Sequence, residues 1–117
     1  MTIPENIKIY IACGRTDMRK QIDGLAQLVQ DYFQLDVYER AIFLFCGRKC
    51  DRIKALYWDG DGFVLLYKRL EGQGRYRWPR TPEEMKQLTQ QQYRWLMEGL
   101  EIEQKTKIQP ARKGRIS

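Results

Sequence analysis

A chain of 117 residues, 43% hydrophobic and 12% aromatic, is long and apolar enough to bury a core, which excludes wholesale disorder. It has no histidine and a single serine, Ser117, so Ser-His, Cys-His and histidine-metal chemistry are excluded. The formal net charge of +6 favours an anionic partner, and where those charges lie decides which.

Ile7 to Cys13 reads as a first strand, with Ile7, Ile9 and Ile11 on one face. Gly14 and Arg15 break it, and Thr16 or Asp17 is placed to cap a helix running to about Gln34. Met18, Ile22, Leu25, Val29, Tyr32 and Phe33 recur at helical spacing along that stretch. Gly24 within it costs about 1 kcal/mol relative to alanine unless something packs closely there. Leu35 to Arg40 is a connector, and Ala41 to Cys46 is a continuous apolar run that reads as a buried central strand.

Arg52 to Trp58 and Phe63 to Leu70 are two further strands around Asp59-Gly60-Asp61-Gly62, the strongest hairpin signal in the chain. Arg75-Tyr76-Arg77-Trp78 alternates and offers a fifth strand. Thr81-Pro82-Glu83-Glu84 has the N-cap, first-turn proline and reciprocal glutamate of a helix start, and Thr89-Gln90-Gln91-Gln92 repeats the capping pattern. Met85, Leu88, Tyr93, Leu96, Met97 and Leu100 are the expected buried positions of those helices, the last ending near Gly99. The order predicts an α+β domain over residues 1–104: a small, mainly antiparallel sheet of four to five strands, one helix after the first strand and one or two C-terminal helices. From Lys105 onward there are five basic residues and no acidic or aromatic ones, so 105–117 is expected to be a basic, disordered tail.

A loop of two or four residues pairs Arg52 with Arg69, Lys54 with Tyr67, Leu56 with Leu65 and Trp58 with Phe63, all on one face. Ile53, Ala55, Tyr57, Val64, Leu66 and Lys68 form the other, which reads as the better core face. Like charges directly opposite one another destabilise a sheet, whereas a phosphate turns that cost into a contact. Arg75 and Arg77 alternate with Tyr76 and Trp78, and Arg48, Lys49 and Arg80 lie nearby in sequence. For any one of these residues a solvated, snorkelling side chain is the simpler reading. As a set, cations interleaved with aromatics favour an anion-binding surface suited to phosphates and exposed bases.

Arg19 and Lys20 sit unfavourably at the positive end of the first predicted helix, a weaker pointer to the same kind of partner. Cys46 and Cys50 have a C-x₃-C spacing, but a structural zinc needs four ligands and no histidine is present, so no metal or cofactor is expected. Cys50, beside Lys49 and Arg52, is a reactive liability more than a functional group. Asp59 and Asp61 are better explained by the turn than by divalent-metal chemistry. No apolar run reaches the about 20 residues that cross a bilayer. Met1 to Asn6 lacks the features of a signal peptide, and the expected compartment is the cytoplasm.

Gly14-Arg15-Thr16-Asp17-Met18-Arg19-Lys20, Asp23-Gly24-Leu25-Ala26, Gly47-Arg48, Asp51-Arg52-Ile53-Lys54, Leu56 to Phe63, Tyr67 to Leu70 and Arg77-Trp78-Pro79 together resemble a known family. They are similar to the accessory proteins, commonly called TnpB, of the insertion-sequence-66 family of bacterial mobile elements, from Ile9 to about Leu100. The RNA-guided nuclease that shares that name is a different and far larger protein. The resemblance implies a protein encoded beside a separate, larger transposase and needed for efficient transposition, with no catalytic set among the matching positions.

The expected function is therefore non-catalytic, with DNA as partner, whether element ends or a transposition intermediate. Arg48, Lys49, Arg52, Lys54, Arg69, Arg75 and Arg77 are the expected phosphate contacts, with Trp58 and Tyr67 for stacking. The alternative is an adaptor that docks the transposase or another accessory subunit, with Trp58, Phe63 or Trp95 as anchors.

Overall fold

Apolar alternation and short turns generate five strands, and the one long connection among the first four sets the topology. A computed structural model of the chain describes residues 1–81 and 84–104. β1 (Lys8–Ala12) is followed by the helix α1 (Ile22–Gln27), which carries the chain across so that β2 (Ala41–Cys46) runs parallel to β1. Tight turns then give β3 (Arg52–Trp58) and β4 (Phe63–Arg69), each antiparallel to its predecessor, and β5 (Met85–Leu88) pairs antiparallel with the free side of β1. The order is β4-β3-β2-β1-β5, and α2 (Gln90–Met97) closes the fold. This is the mainly antiparallel α+β architecture that the sequence predicts.

All six residues of β2 are buried, because both faces of the sheet are covered. On one side Phe43, Phe45 and Leu56 pack beneath Leu25 and Val29 of the α1 region and Val37 of the connector. On the other, Ile9, Ile11, Ile42, Leu44 and Ile53 pack beneath Tyr76, Trp78, Tyr93, Leu96 and Ile102. Fully burying a side chain of that size stabilises the fold by about 1.5–3 kcal/mol. The hairpin register pairs Arg52 with Arg69 and Trp58 with Phe63, as expected. The face that reads as the lesser core face is covered as well: Leu56 is fully buried and Lys54 nearly so on the side that α1 covers.

Three local readings also change. The helix does not start at Thr16 or Asp17, because the Asp17 carboxylate accepts hydrogen bonds from the Arg19 main chain and guanidinium at 2.9–3.3 Å. That local turn holds residues 17–20 outside the helix, and α1 begins after Gln21 without a side-chain cap. It then widens into a π-helical turn, Leu28–Tyr32, closed by the Phe33 amide donating to Leu28 O at 3.1 Å. The second reading that fails is the helix at Thr81. Met85–Leu88 is β5, since pairing with β1 satisfies its backbone and sinks Leu88 into the core, overriding local propensity. Third, Arg75 to Trp78 is not a strand but a strap: the Tyr76 amide donates to Cys50 O and the Trp78 indole to Ala12 O, both at 2.8 Å.

The capping box at Thr89 forms in full, with Gln92 N donating to Thr89 Oγ1 and Thr89 N to Gln92 Oε1. Leu100, expected inside, is 43% exposed, because the chain turns at Gly99 (φ +82°) and buries Ile102 instead. Pro82, Glu83 and the expected tail 105–117 lie outside the described residues. Among the described residues no helix is long and apolar enough to cross a membrane.

Candidate nucleic-acid interface

The parallel pair β1 and β2 ends on one side of the sheet, so the loops that follow them, 14–20 and 47–51, meet there. The carboxyl ends of parallel strands are where open sheets with crossover connections form binding crevices. Gly14 turns the chain at φ +78°, its amide donates to Pro79 O, and the Thr16 amide donates to Cys46 O at 2.8 Å. Met18 lies across Gly47, so closely that a Cβ at residue 47 would stand 2.6 Å from Met18 Cγ. The next turn closes with the Cys50 amide donating to Gly47 O at 3.2 Å, leaving Arg48 and Lys49 exposed at its crest.

Between these loops is a cleft of about 830 Å³ whose lining includes Arg15, Asp17, Arg19, Arg48, Lys49, Asp51 and Arg52. Five cations face two carboxylates there, an excess of three. Arg19 hydrogen-bonds Asp17 and holds its carboxyl well below the usual carboxylate range; Arg52 likewise lowers that of Asp51. Each aspartate thus stays ionised and engages one guanidinium, at 2.9 Å for Arg19 and 3.1 Å for Arg52. Arg15, Arg48 and Lys49 have no side-chain partner among the described residues. Their charge is available to an incoming anion.

The nine residues expected from the sequence do not form one surface. Arg48, Lys49 and Arg52 line the cleft, and an adjoining hollow of about 370 Å³ joins Arg52 to Lys54 and Tyr67. Tyr67 is 52% exposed. Lys54 is buried, its ammonium donating to Lys20 O at 2.8 Å and lying 5.8 Å from the Tyr67 ring centre, so it ties loop 14–20 to the sheet. Arg69 lies opposite Arg52 and donates to Glu71 at 2.9 Å.

Trp58 sits at the other end of the hairpin, six residues or about 20 Å along the strand, in a cluster with Tyr38 and Phe63. Tyr76 and Trp78 are buried on the sheet face away from α1, so Arg75 and Arg77 project outward from that side. Arg75 is engaged by Gly72 O and Gly74 O. Arg77 is 4.0 Å from Glu101, in a separate hollow with Arg80, Lys86 and Glu103.

Arg15 was not singled out from the sequence, and Arg19 only weakly. Their signal is position: both lie in the loop after a strand whose carboxyl end neighbours that of a parallel strand. The thiols are structural in setting. All three cysteines are buried, and Arg80 donates to Cys50 Sγ at 3.1 Å. Among the described residues no three potential metal ligands come together. Asp59 and Asp61 belong to the hairpin turn, closed by Asp59 N donating to Gly62 O at 2.8 Å, with Gly60 at φ +86°.

The sequence profile of the family described as IS66 Orf2 like protein matches residues 7–107, a span that contains both cleft loops. The chain belongs to the IS66 Orf2-like family. The family is one of accessory proteins of insertion-sequence transposition. Two relatives come from Sinorhizobium fredii (strain NBRC 101917 / NGR234), and both are described as uncharacterized proteins. One, y4jC, is 32% identical over 95 residues, 81% of this chain and 80% of its own length. The other, y4hO, is 33% identical over 97 residues, 83% of this chain and 84% of its own. No solved structure shows a significant match.

Proposed function

We propose that this IS66 accessory protein binds DNA through the cleft at the carboxyl ends of β1 and β2, without catalysing a reaction itself. Arg15, Arg48, Lys49 and Arg52 contact phosphates there, Arg69 extends the basic surface, and Tyr67 offers a ring for stacking on an unpaired base. One observation supports this reading: three cations without side-chain partners among the described residues share a single concavity with two aspartates that are already engaged. A guanidinium matches a phosphate in geometry as well as charge. Arg75 and Arg77, on the other side of the sheet, fall outside this contact.

Titration of labelled duplex and single-stranded DNA with the purified protein tests the proposal. The Arg48→Glu/Lys49→Glu variant should lose at least about tenfold in affinity, while Arg77→Glu stays near wild type. Equal affinity of the cleft variant and the wild type would remove the cleft from the reading.

A second reading, an adaptor for the separate transposase, draws on the Tyr38–Trp58–Phe63 cluster, where Tyr38 is 55% exposed. Exposed aromatic clusters are typical anchors in protein interfaces. Capture of transposase from nuclease-treated lysate by a protein that binds no DNA would favour it.

A further inference from the structure

β4 is an edge strand, and its outer side has the properties of a pairing surface. Seven residues long, it pairs with β3 in an unbroken register, with neither a bulge nor a proline to blunt it. The opposite edge of the sheet, β5, is by contrast four residues long and carries Lys86. The direction in which β4 points its main-chain groups follows from its two ends. Asp59 N donates to Gly62 O, and Leu70 N donates to Asp51 O at 2.6 Å. Antiparallel ladders alternate, so Val64, Leu66 and Lys68 exchange bonds with β3. Phe63, Leu65, Tyr67 and Arg69 then direct their amides and carbonyls outward, and among the described residues no other strand receives them.

We propose that a second copy of this chain pairs with that edge, β4 against β4, antiparallel and centred on Leu65. In this register Leu65 faces Leu65 of the other copy, Phe63 faces Tyr67, and Asp61 faces Arg69; on the other sheet face Val64 meets Leu66. These pairs are complementary, aromatic with aromatic, apolar with apolar and acid with base, and Lys68 faces only Gly62. A shift of the centre to Leu66 brings Asp61 against Glu71 and Phe63 against Arg69, which disfavours it. Arg69 exchanges its exposed partner Glu71 for Asp61 of the other copy, at little cost, because exposed pairs of this kind contribute little. Tyr67, half-exposed in the single chain, gains Phe63 of the other copy as a neighbour on its face of the sheet. The two five-stranded sheets become one of ten strands, with the Arg52 and Arg69 side chains of both copies on the same face.

The test uses the full chain without DNA, so its outcome is independent of the DNA-binding proposal. Sedimentation from about 1 to about 100 µM should show a monomer–dimer equilibrium. Arg69→Glu alone and Asp61→Arg alone should each weaken dimerisation about tenfold, since two symmetric pairs turn repulsive. The double variant, with the charges exchanged, should regain most of it. Leu65→Cys should form a covalent dimer on mild oxidation, as facing residues in this register have Cα atoms about 5.5 Å apart, and Val64→Cys should not. A monomer at every concentration overturns the proposal. So does a dimer that ignores both charge changes and fails to cross-link at residue 65.

Discussion

Gly47 shows how single residues hold the cleft open. Its role is spatial: the side chain of Met18 occupies the volume a Cβ would take, at 2.6 Å, and this contact fixes one cleft loop against the other. Gly47→Ala should destabilise the protein by about 1–3 kcal/mol through overpacking, measured as a shift of the urea midpoint. Adding Met18→Ala should return part of the loss; a double variant as unstable as the sum of the two singles would contradict the contact. Cys46 behaves as a buried group. Burial, reinforced by neighbouring Cys50, pushes its thiol above the ordinary value of 9.0. An unfolded chain therefore ionises this thiol first, so its contribution to stability is intact below that value and is lost as pH rises above it. Between about pH 8 and about pH 10.5 the wild type should lose more stability than Cys46→Ala. Equal losses would contradict this. Residue-scale roles were partly legible: the sequence marks Arg48, Lys49 and Arg52 by charge, but Lys54 looks the same, and only its depth beneath loop 14–20 shows that it is structural.

Elements were legible where local chemistry and tertiary packing agree. β2 and the β3–β4 hairpin are of this kind, since an apolar run and an Asp-Gly turn leave few alternatives. The capping box of α2 is another, and Thr89→Ala should cost about 1 kcal/mol, read as a lower thermal midpoint, with Thr89→Ser close to wild type. A Thr89→Ala variant as stable as the parent would mean the cap contributes nothing. Illegible elements were those in which a distant partner decides. Thr81 to Leu88 has the local marks of a helix, yet β1 needs a neighbour on its free side and Met85–Leu88 supplies it. At residues 16–20 the Asp17 side chain is consumed by Arg19, an exchange that spacing alone does not favour over a cap.

On the scale of the whole molecule, two covered sheet faces divide the basic residues. A strand pattern can state which side chains share a face, but not which layer will cover it. The crossover from β1 through α1 puts a helix over the hairpin face that carries Lys54 and Leu56. The Arg75–Trp78 strap covers the other. On the α1 side, the end of the sheet where loops 14–20 and 47–51 converge gathers five cations around two carboxylates. If these cations hold phosphates, DNA binding depends on salt. The logarithm of affinity should fall linearly with the logarithm of salt concentration, with a slope proportional to the phosphates neutralised. In Arg48→Glu/Lys49→Glu that slope should be shallower by about 2, and in Arg77→Glu unchanged. Affinity that is independent of salt, or a slope that Arg77→Glu reduces and the cleft variant does not, would contradict the account.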